Sequence, residues 1–397
     1  MRLCYISRNY YGLSGAGNKA KTDIEHTLQQ MGAVNLGLRT TFYDNKVVAF
    51  VLNLLGIMKM TCCIRKGDTL LLQYPVKKYF SFVCRVAHWR RTRVIVVIHD
   101  LMSLHRKRIT LDTELSRLGK ADVIIASNEK MQQWLAQQGL QCPMTALGLF
   151  DYLDNQQTPP QEAQPQETLP RPLPLGRGVD SLSPEKPFQK IADENTDDKS
   201  IYSPPSTGGA GGGSFSPSTG GAGGGSPSLV YAGALVMRKN SYLLELANKA
   251  QHFTLHIYGN SDGLPGIDKA PHAVCYPFTP ADEFIRSADG DFGLVWDGDS
   301  LETCQGDFGE YLRYNSPHKV SFYLRAGLPV IIWREAAVAP IIEREGIGFT
   351  IGSIAELEQR LQVLTPEELE QMRKNVARVS ARLASGQYFR EALQRVL

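Results

Sequence analysis

Hydrophobic and polar positions alternate between two periods along most of the chain. Short apolar runs rich in branched residues, at 3–7, 69–73, 94–98 and 123–126, predict strands. Between them, segments such as 17–31 and 128–138 place apolar residues at helical spacing, and the second stops at Gly139. The same alternation resumes with strands at 229–233, 254–258, 292–296 and 330–333. Helices are predicted at 241–250, 280–287, 317–326 and 336–345, followed by one long amphipathic helix over 366–397. Strand and helix in strict alternation predict an α/β fold with parallel sheets covered on both faces. Two Rossmann-like halves facing a cleft is the economical arrangement.

The pattern fails between 155 and 228. There the composition turns to Pro, Gly, Ser and Gln, and STGGAGGGS occurs at 206–214 and again at 218–226. Such a segment has no apolar face to bury and is expected to be a long disordered insertion between the domains. The domain boundaries follow: 1–154, the insertion 155–228, 229–365, and the terminal helix 366–397.

Hydrophobic residues make up 43% of the 397 and charged ones 21%, values of a soluble globular chain. Seven cysteines without a CxxC or regular spacing argue for reduced thiols, and hence a cytoplasmic protein, not a disulfide framework or zinc site. No signal-peptide pattern opens the chain, and the apolar run 47–60 is too short to span a bilayer. The net charge of +3 hides an asymmetry: 21 Lys and Arg against 10 Asp and Glu in residues 1–151, but 17 against 21 in residues 229–397. A basic first half suits a phosphate-bearing substrate or the inner face of an anionic membrane. No nucleic-acid-binding signature is present.

Several short stretches carry candidate chemistry. The turn at 12–19, with Ser14 and Gly15, follows the first strand and opens a helix, a place where free amides suit phosphate; a plain tight turn is the alternative. His99 and Asp100 end the strand 94–98 and would project into a cleft, with Asp100 as general base. Alternatively Asp100 caps a helix and His99 packs. Gln73-Tyr74-Pro75 ends the neighbouring strand, either in the cleft or as a simple turn. In 77–93, cations interleave with aromatics, and Phe82, Val83, Val86 and Trp89 are expected on one helix face. A basic covering helix explains this more economically than a membrane-surface one. Asp297 and Asp299 form an Asp-x-Asp, expected to be a turn and not a metal site.

The most informative stretch is Asn315-Ser316-Pro317-His318-Lys319, before an apolar helix. Pro317 is expected in the first turn, with Ser316 or Asn315 as cap. Lys319 is unfavourable against the positive end of that helix. A bound diphosphate would offset the cost.

This run, with Gly293-Leu294-Val295-Trp296-Asp297, Ile98-His99-Asp100 and Ala121-Asp122-Val123-Ile124, resembles GT-B glycosyltransferases. It is most similar to bacterial beta-1,6-galactofuranosyltransferases and the related glucosyltransferases that modify adhesins. The resemblance covers both folded parts, about 320 residues. It implies a UDP-sugar donor held by the second half, an acceptor held by the first, and no metal or other cofactor. By position, Asn315, Ser316, Pro317, His318 and Lys319 would hold the diphosphate, with Gly233 and Arg238 near it. The implied activity is transfer of a hexose, of galactofuranose or glucose type, to a glycan or lipid-linked acceptor in surface-polysaccharide synthesis. Peripheral membrane contact and a homo-oligomer are compatible with these features. A non-catalytic nucleotide- or glycan-binding protein and a sugar-nucleotide epimerase of the same fold are the alternatives.

The insertion has no part in this scheme. Deleting residues 160–225 is expected to leave thermal stability and donor turnover as in the full chain; an unfolded or inactive deletion protein would show a structural role.

Overall fold

The structure is a computed structural model that describes residues 2–7, 16–38, 46–75, 79–105, 107, 109–154 and 226–397. Ser14, Gly15 and nearly all of the expected disordered insertion lie outside the described residues. The insertion's expected last residue, Ser228, begins a strand.

Two six-stranded parallel sheets organise the chain. The first contains β1 (Leu3–Tyr5), β2 (Val34–Asn35), β3 (Thr69–Tyr74), β4 (Arg93–Ile98), β5 (Val123–Ala126) and β6 (Met144–Ala146), in the order β2-β1-β3-β4-β5-β6. The second contains β7 (Ser228–Ala232), β8 (Thr254–Tyr258), β9 (Ala273–Tyr276), β10 (Phe292–Val295), β11 (Val330–Trp333) and β12 (Gly348–Ile351), in the order β12-β11-β10-β7-β8-β9. Each order reverses once, between β1 and β3 and between β7 and β10. Ligands of open α/β sheets bind at such reversals, beyond the carboxyl ends of the strands.

Burial on both faces explains why these strands read as continuous apolar runs. Within β4, Ile95 and Val97 join one core cluster, while Val94, Val96 and Ile98 join the other. The first cluster also holds Ile24 and Leu28 from the helix Ala16–Gln30, together with Phe389 and Leu393 from the end of the chain. The expected single helix over 366–397 is therefore two helices, Pro366–Ala384 and Gln387–Gln394. Gly386, at φ 74°, turns the chain between them, a backbone conformation that other residues resist. The second piece returns to cover the first sheet, and both sheets belong to one compact unit.

That return is fastened by a buried carboxylate. Asp151 accepts hydrogen bonds from the backbone N–H groups of Tyr388 (3.3 Å) and Phe389 (2.7 Å), in the first turn of the last helix. Nearby, Asp23 accepts from the Leu153 N–H and pairs with Lys19. Burial pushes both carboxyls up, Asp151 to about 7 and Asp23 to about 6. A carboxyl whose folded value is raised stabilises the fold when protonated, and that contribution fades as pH rises through the folded value. Asp151→Asn, whose amide nitrogen cannot accept the second N–H, should therefore be less stable than wild type in thermal unfolding near pH 4 and recover relative to it by pH 8, by at most about 4 kcal/mol. A variant equally destabilised at both pH values would contradict the assignment.

Candidate functional site

At the reversal of the second sheet, β7 leads into Gly233 and β10 into Trp296 and Asp297. The Asp297 side chain is 10% exposed. Lys319 Nζ lies 3.1 Å from its Oδ1, and Lys239 Nζ lies 3.6 Å from the same atom. Lys319 also donates to the Tyr231 hydroxyl at 2.9 Å, and its ammonium sits 4.0 Å from the centre of that ring. The expectation of an ammonium relieved only by ligand is thus corrected. Asp297 supplies an anion from within the protein, and Lys319 pays no unbalanced cost at the helix start. Two ammonium groups against one carboxylate still leave a positive surplus beside the amino end of a helix, where an anion is favoured.

The approach to this group is open. Gly233 is exposed, at φ 147°, and a Cβ there would lie 3.6 Å from Lys319 Cε. Arg238, also exposed, sits 5.3 Å from the Phe308 ring, which Lys239 approaches at 5.7 Å. The structure thus brings Gly233, Arg238, Asp297 and Lys319 into one region.

The residues before the helix do not cap it as expected. The helix spans His318–Arg325, so Pro317 is its cap position, and neither Asn315 nor Ser316 caps it. The Ser316 hydroxyl lies 2.9 and 3.0 Å from the Ser127 and Gly148 carbonyl oxygens and accepts from Asn128 Nδ2 at 3.1 Å. Asn128 also donates to the Tyr314 carbonyl. This knot joins the second half to the ends of β5 and β6. Buried Asn315 Oδ1 has no hydrogen-bond partner among the described residues.

His318 crosses the same boundary. Its ring lies 4.5 Å from Phe150 and 5.8 Å from His99, and a Cβ on Gly17 would meet it at 3.3 Å. Burial lowers His318 to about 4, so at neutral pH it is an uncharged imidazole. His99 is buried, stacked on Phe150, and likewise pushed well below its ordinary value by burial. Gln73 Nε2 donates to the Lys21 carbonyl, so its Oε1 faces His99, and His99 Nε2 donates to it at 2.8 Å. Among the described residues, the buried Nδ1 atoms of both histidines have no hydrogen-bond partner.

Asp100 is the more accessible of the pair, with 30% of its side chain exposed. Its surroundings come largely from elsewhere. Tyr311, from the helix Gly306–Tyr311 of the second half, donates to Asp100 Oδ1 at 3.4 Å and accepts from the Leu101 N–H at 2.8 Å. His105 stacks on Tyr311 at 4.9 Å. The following turn hangs on buried Glu114, which accepts from the N–H groups of Met102 and Ser103 and from the Tyr74 hydroxyl. Tyr311, Glu114, Lys239 and Tyr231 were not singled out from sequence, since each acts through a long-range contact without a local pattern. Asp299 accepts from Gln305 in the turn after β10, and Lys19, at the end of the 12–19 stretch, is buried between Asp23 and Asp282.

Two facing Rossmann sheets, a cationic anion site at one reversal and a strand-end carboxylate opposite describe the GT-B class of glycosyltransferase. The chain matches the Glucosyltransferase 3-like N-terminal domain over residues 3–149 and the Glucosyltransferase 3-like C-terminal domain over residues 229–396. It belongs to this family, and it is a glycosyltransferase. It is 26% identical over 388 residues to the beta-1,6-galactofuranosyltransferase WbbI of Escherichia coli K12, covering 96% of this chain and 94% of that one. Over 109 residues, 28% of this chain and 32% of the other, it is 35% identical to glucosyltransferase 3 of Streptococcus gordonii. Among solved structures, HepE of Anabaena in complex with UDP-glucose shares the fold, with a TM-score of 0.54 at 11% identity, covering 100% of this chain and 99% of that one.

The ion pair makes a prediction about stability in the absence of ligand. Lys319→Ala leaves a largely buried Asp297 with only the more distant Lys239, so it should destabilise the protein by about 1–3 kcal/mol in urea unfolding. Unchanged or increased stability would show that the pair contributes nothing.

Proposed function

We propose that the protein transfers a hexose from a UDP-sugar to a hydroxyl of a glycan or lipid-linked acceptor, without a metal ion. The observation that carries this reading is the Asp297 carboxylate shared by Lys319 and Lys239 beside exposed Gly233. It is a preorganised positive site at the switch point of the second sheet. The names of the relatives, a galactofuranosyltransferase and a glucosyltransferase, and the UDP-glucose bound by HepE support the donor class. A carboxylate already held by two ammonium groups is a poor metal ligand, so the cations themselves are assigned the role of stabilising the diphosphate. Chelator should then leave turnover unchanged.

In this mechanism Asp100 takes the proton from the acceptor hydroxyl as its oxygen attacks the anomeric carbon. The bond from that carbon to the diphosphate oxygen breaks, and UDP leaves with the electron pair. Negative charge grows on the diphosphate, where Lys319, Lys239 and the helix start are already in place. Uncharged His318 and Asn315 offer hydrogen bonds to the donor without adding charge. Tyr311 keeps Asp100 in position. We also assign the reaction to the cytoplasm, where seven cysteines without regular spacing would stay reduced.

Turnover of a panel of UDP-sugars, followed as free UDP, tests the reading. One sugar should be turned over in preference, and Asp100→Asn should lower kcat by about 10²–10⁴ with little change in donor affinity. No UDP released from any donor would contradict the donor class. Full activity in Asp100→Asn would remove Asp100 as the base.

A further inference from the structure

The helix Lys46–Cys63 is the most apolar surface element of the first half, yet it turns much of that surface outward. Gly56, Met60 and Ile64 line its buried side. Val51, Leu54, Leu55 and Met58 are 40–56% exposed. Val51, Leu55 and Met58, four and three residues apart, form a stripe along one face of the helix, with Leu54 beside it. No charged residue falls between Lys46 and Lys59. The neighbouring helix Phe80–Trp89 repeats the pattern. Val83 and Val86 are buried, whereas Phe82 (47%) and Trp89 (73%) are exposed, so the four do not share the face expected from sequence.

The charges around this surface are mostly positive. Residues 46–93 contain ten Lys and Arg and a single acid, Asp68, which is buried and paired with Arg2. The ends of the two helices meet. The Gly67 N–H donates to the Arg91 carbonyl and the Thr92 hydroxyl to the Arg65 carbonyl, bringing exposed Arg65, Lys66, Arg90 and Arg91 together. Arg90 lies 4.9 Å from the Trp89 ring. Asp122, held by His88 at 3.1 Å, flanks this cluster.

We infer that this surface is where the protein lies on an anionic lipid bilayer. A helix with an apolar outer stripe, cations beyond its end and an exposed Trp on the neighbouring helix suits the interface plane. A second copy of this chain would bring the same cations together, whereas an anionic bilayer complements them. No described helix is long and apolar enough to cross a membrane, so the contact is peripheral. Because crossover helices run antiparallel to their strands, the amino end of Lys46–Cys63 lies at the carboxyl edge of the sheet, the edge that carries Asp100. The cation cluster lies at the opposite, amino edge, so a helix docked along its length would lay the strands parallel to the bilayer. The inference rests on the exposed surface and not on the donor site.

Flotation of the full chain with vesicles of phosphatidylcholine alone, or of equal parts phosphatidylcholine and phosphatidylglycerol, tests it. The protein should bind only the anionic vesicles, and less as salt rises. Lys66→Glu with Arg90→Glu should weaken binding at least about tenfold. Leu55→Asp with Met58→Asp should weaken it similarly, and both variants should keep wild-type thermal stability and donor turnover. Failure of wild type to bind anionic vesicles at low salt, or wild-type binding by both variants, would overturn the inference. So would a dimer in solution that Leu55→Asp with Met58→Asp converts to monomer, since that would make the face a self-interface.

Discussion

The carboxylate of Asp297, held between Lys319 and Lys239, is the interaction around which the second half is arranged. A lysine in the first turn of a helix opposes the helix dipole and would ordinarily point to solvent. Here its ammonium is drawn inward to Asp297 and Tyr231, 3.1 and 2.9 Å away. The pair is mostly buried, so the attraction is screened less than on a surface, and neither partner can be removed without stranding the other. Because a second ammonium shares the same oxygen, the group is not neutral. It carries a positive surplus at the place where the strand order reverses, beside exposed Gly233.

From that point, contacts lead across the boundary between the halves. The residue before Lys319, His318, packs on Phe150 and near His99. Two residues further back, Ser316 is tied to the ends of β5 and β6 through Ser127, Gly148 and Asn128. Tyr311 reaches over to Asp100 and Leu101, and the last helix crosses back to Asp151. The carboxylate assigned as base is thus oriented by a residue of the half assigned to the donor. In such an arrangement the relative placement of the halves and the geometry of the base are set together, and a shift in one would be felt in the other.

The architecture was largely legible because buried parallel strands are continuous apolar runs; Thr254–Tyr258 and Val330–Trp333 match their expected limits. Short strands such as Val34–Asn35 and Met144–Ala146 were not, since two or three residues carry no period. The break at Gly386 was hidden because the apolar spacing continues through it. At the site, Lys319 and Asp100 could be named from local signals, a helix start and a strand end, whereas Gly233 followed only from the resemblance. Lys319's partner could not, since Asp297 is 22 residues away and read as a turn. Ser316 read as a cap, but its hydroxyl serves a contact 189 residues distant in sequence. The helix Lys46–Cys63 shows the same limit. Its apolar pattern suggests a core element, and only the packing reveals that the stripe faces outward.

The central claim is that the surplus charge beside Asp297 receives the donor's diphosphate. Calorimetric titration of UDP into wild type and Lys319→Ala, with folding of the variant verified, addresses it most directly. Removing a charge-assisted contact to a desolvated phosphate should weaken UDP binding by about 1.5–3 kcal/mol, roughly 10- to 150-fold. Lys319→Arg should recover only part of the loss, because a planar fork cannot replace a compact ammonium between Asp297 and Tyr231. Equal affinity of UDP for wild type and a folded Lys319→Ala would contradict the account.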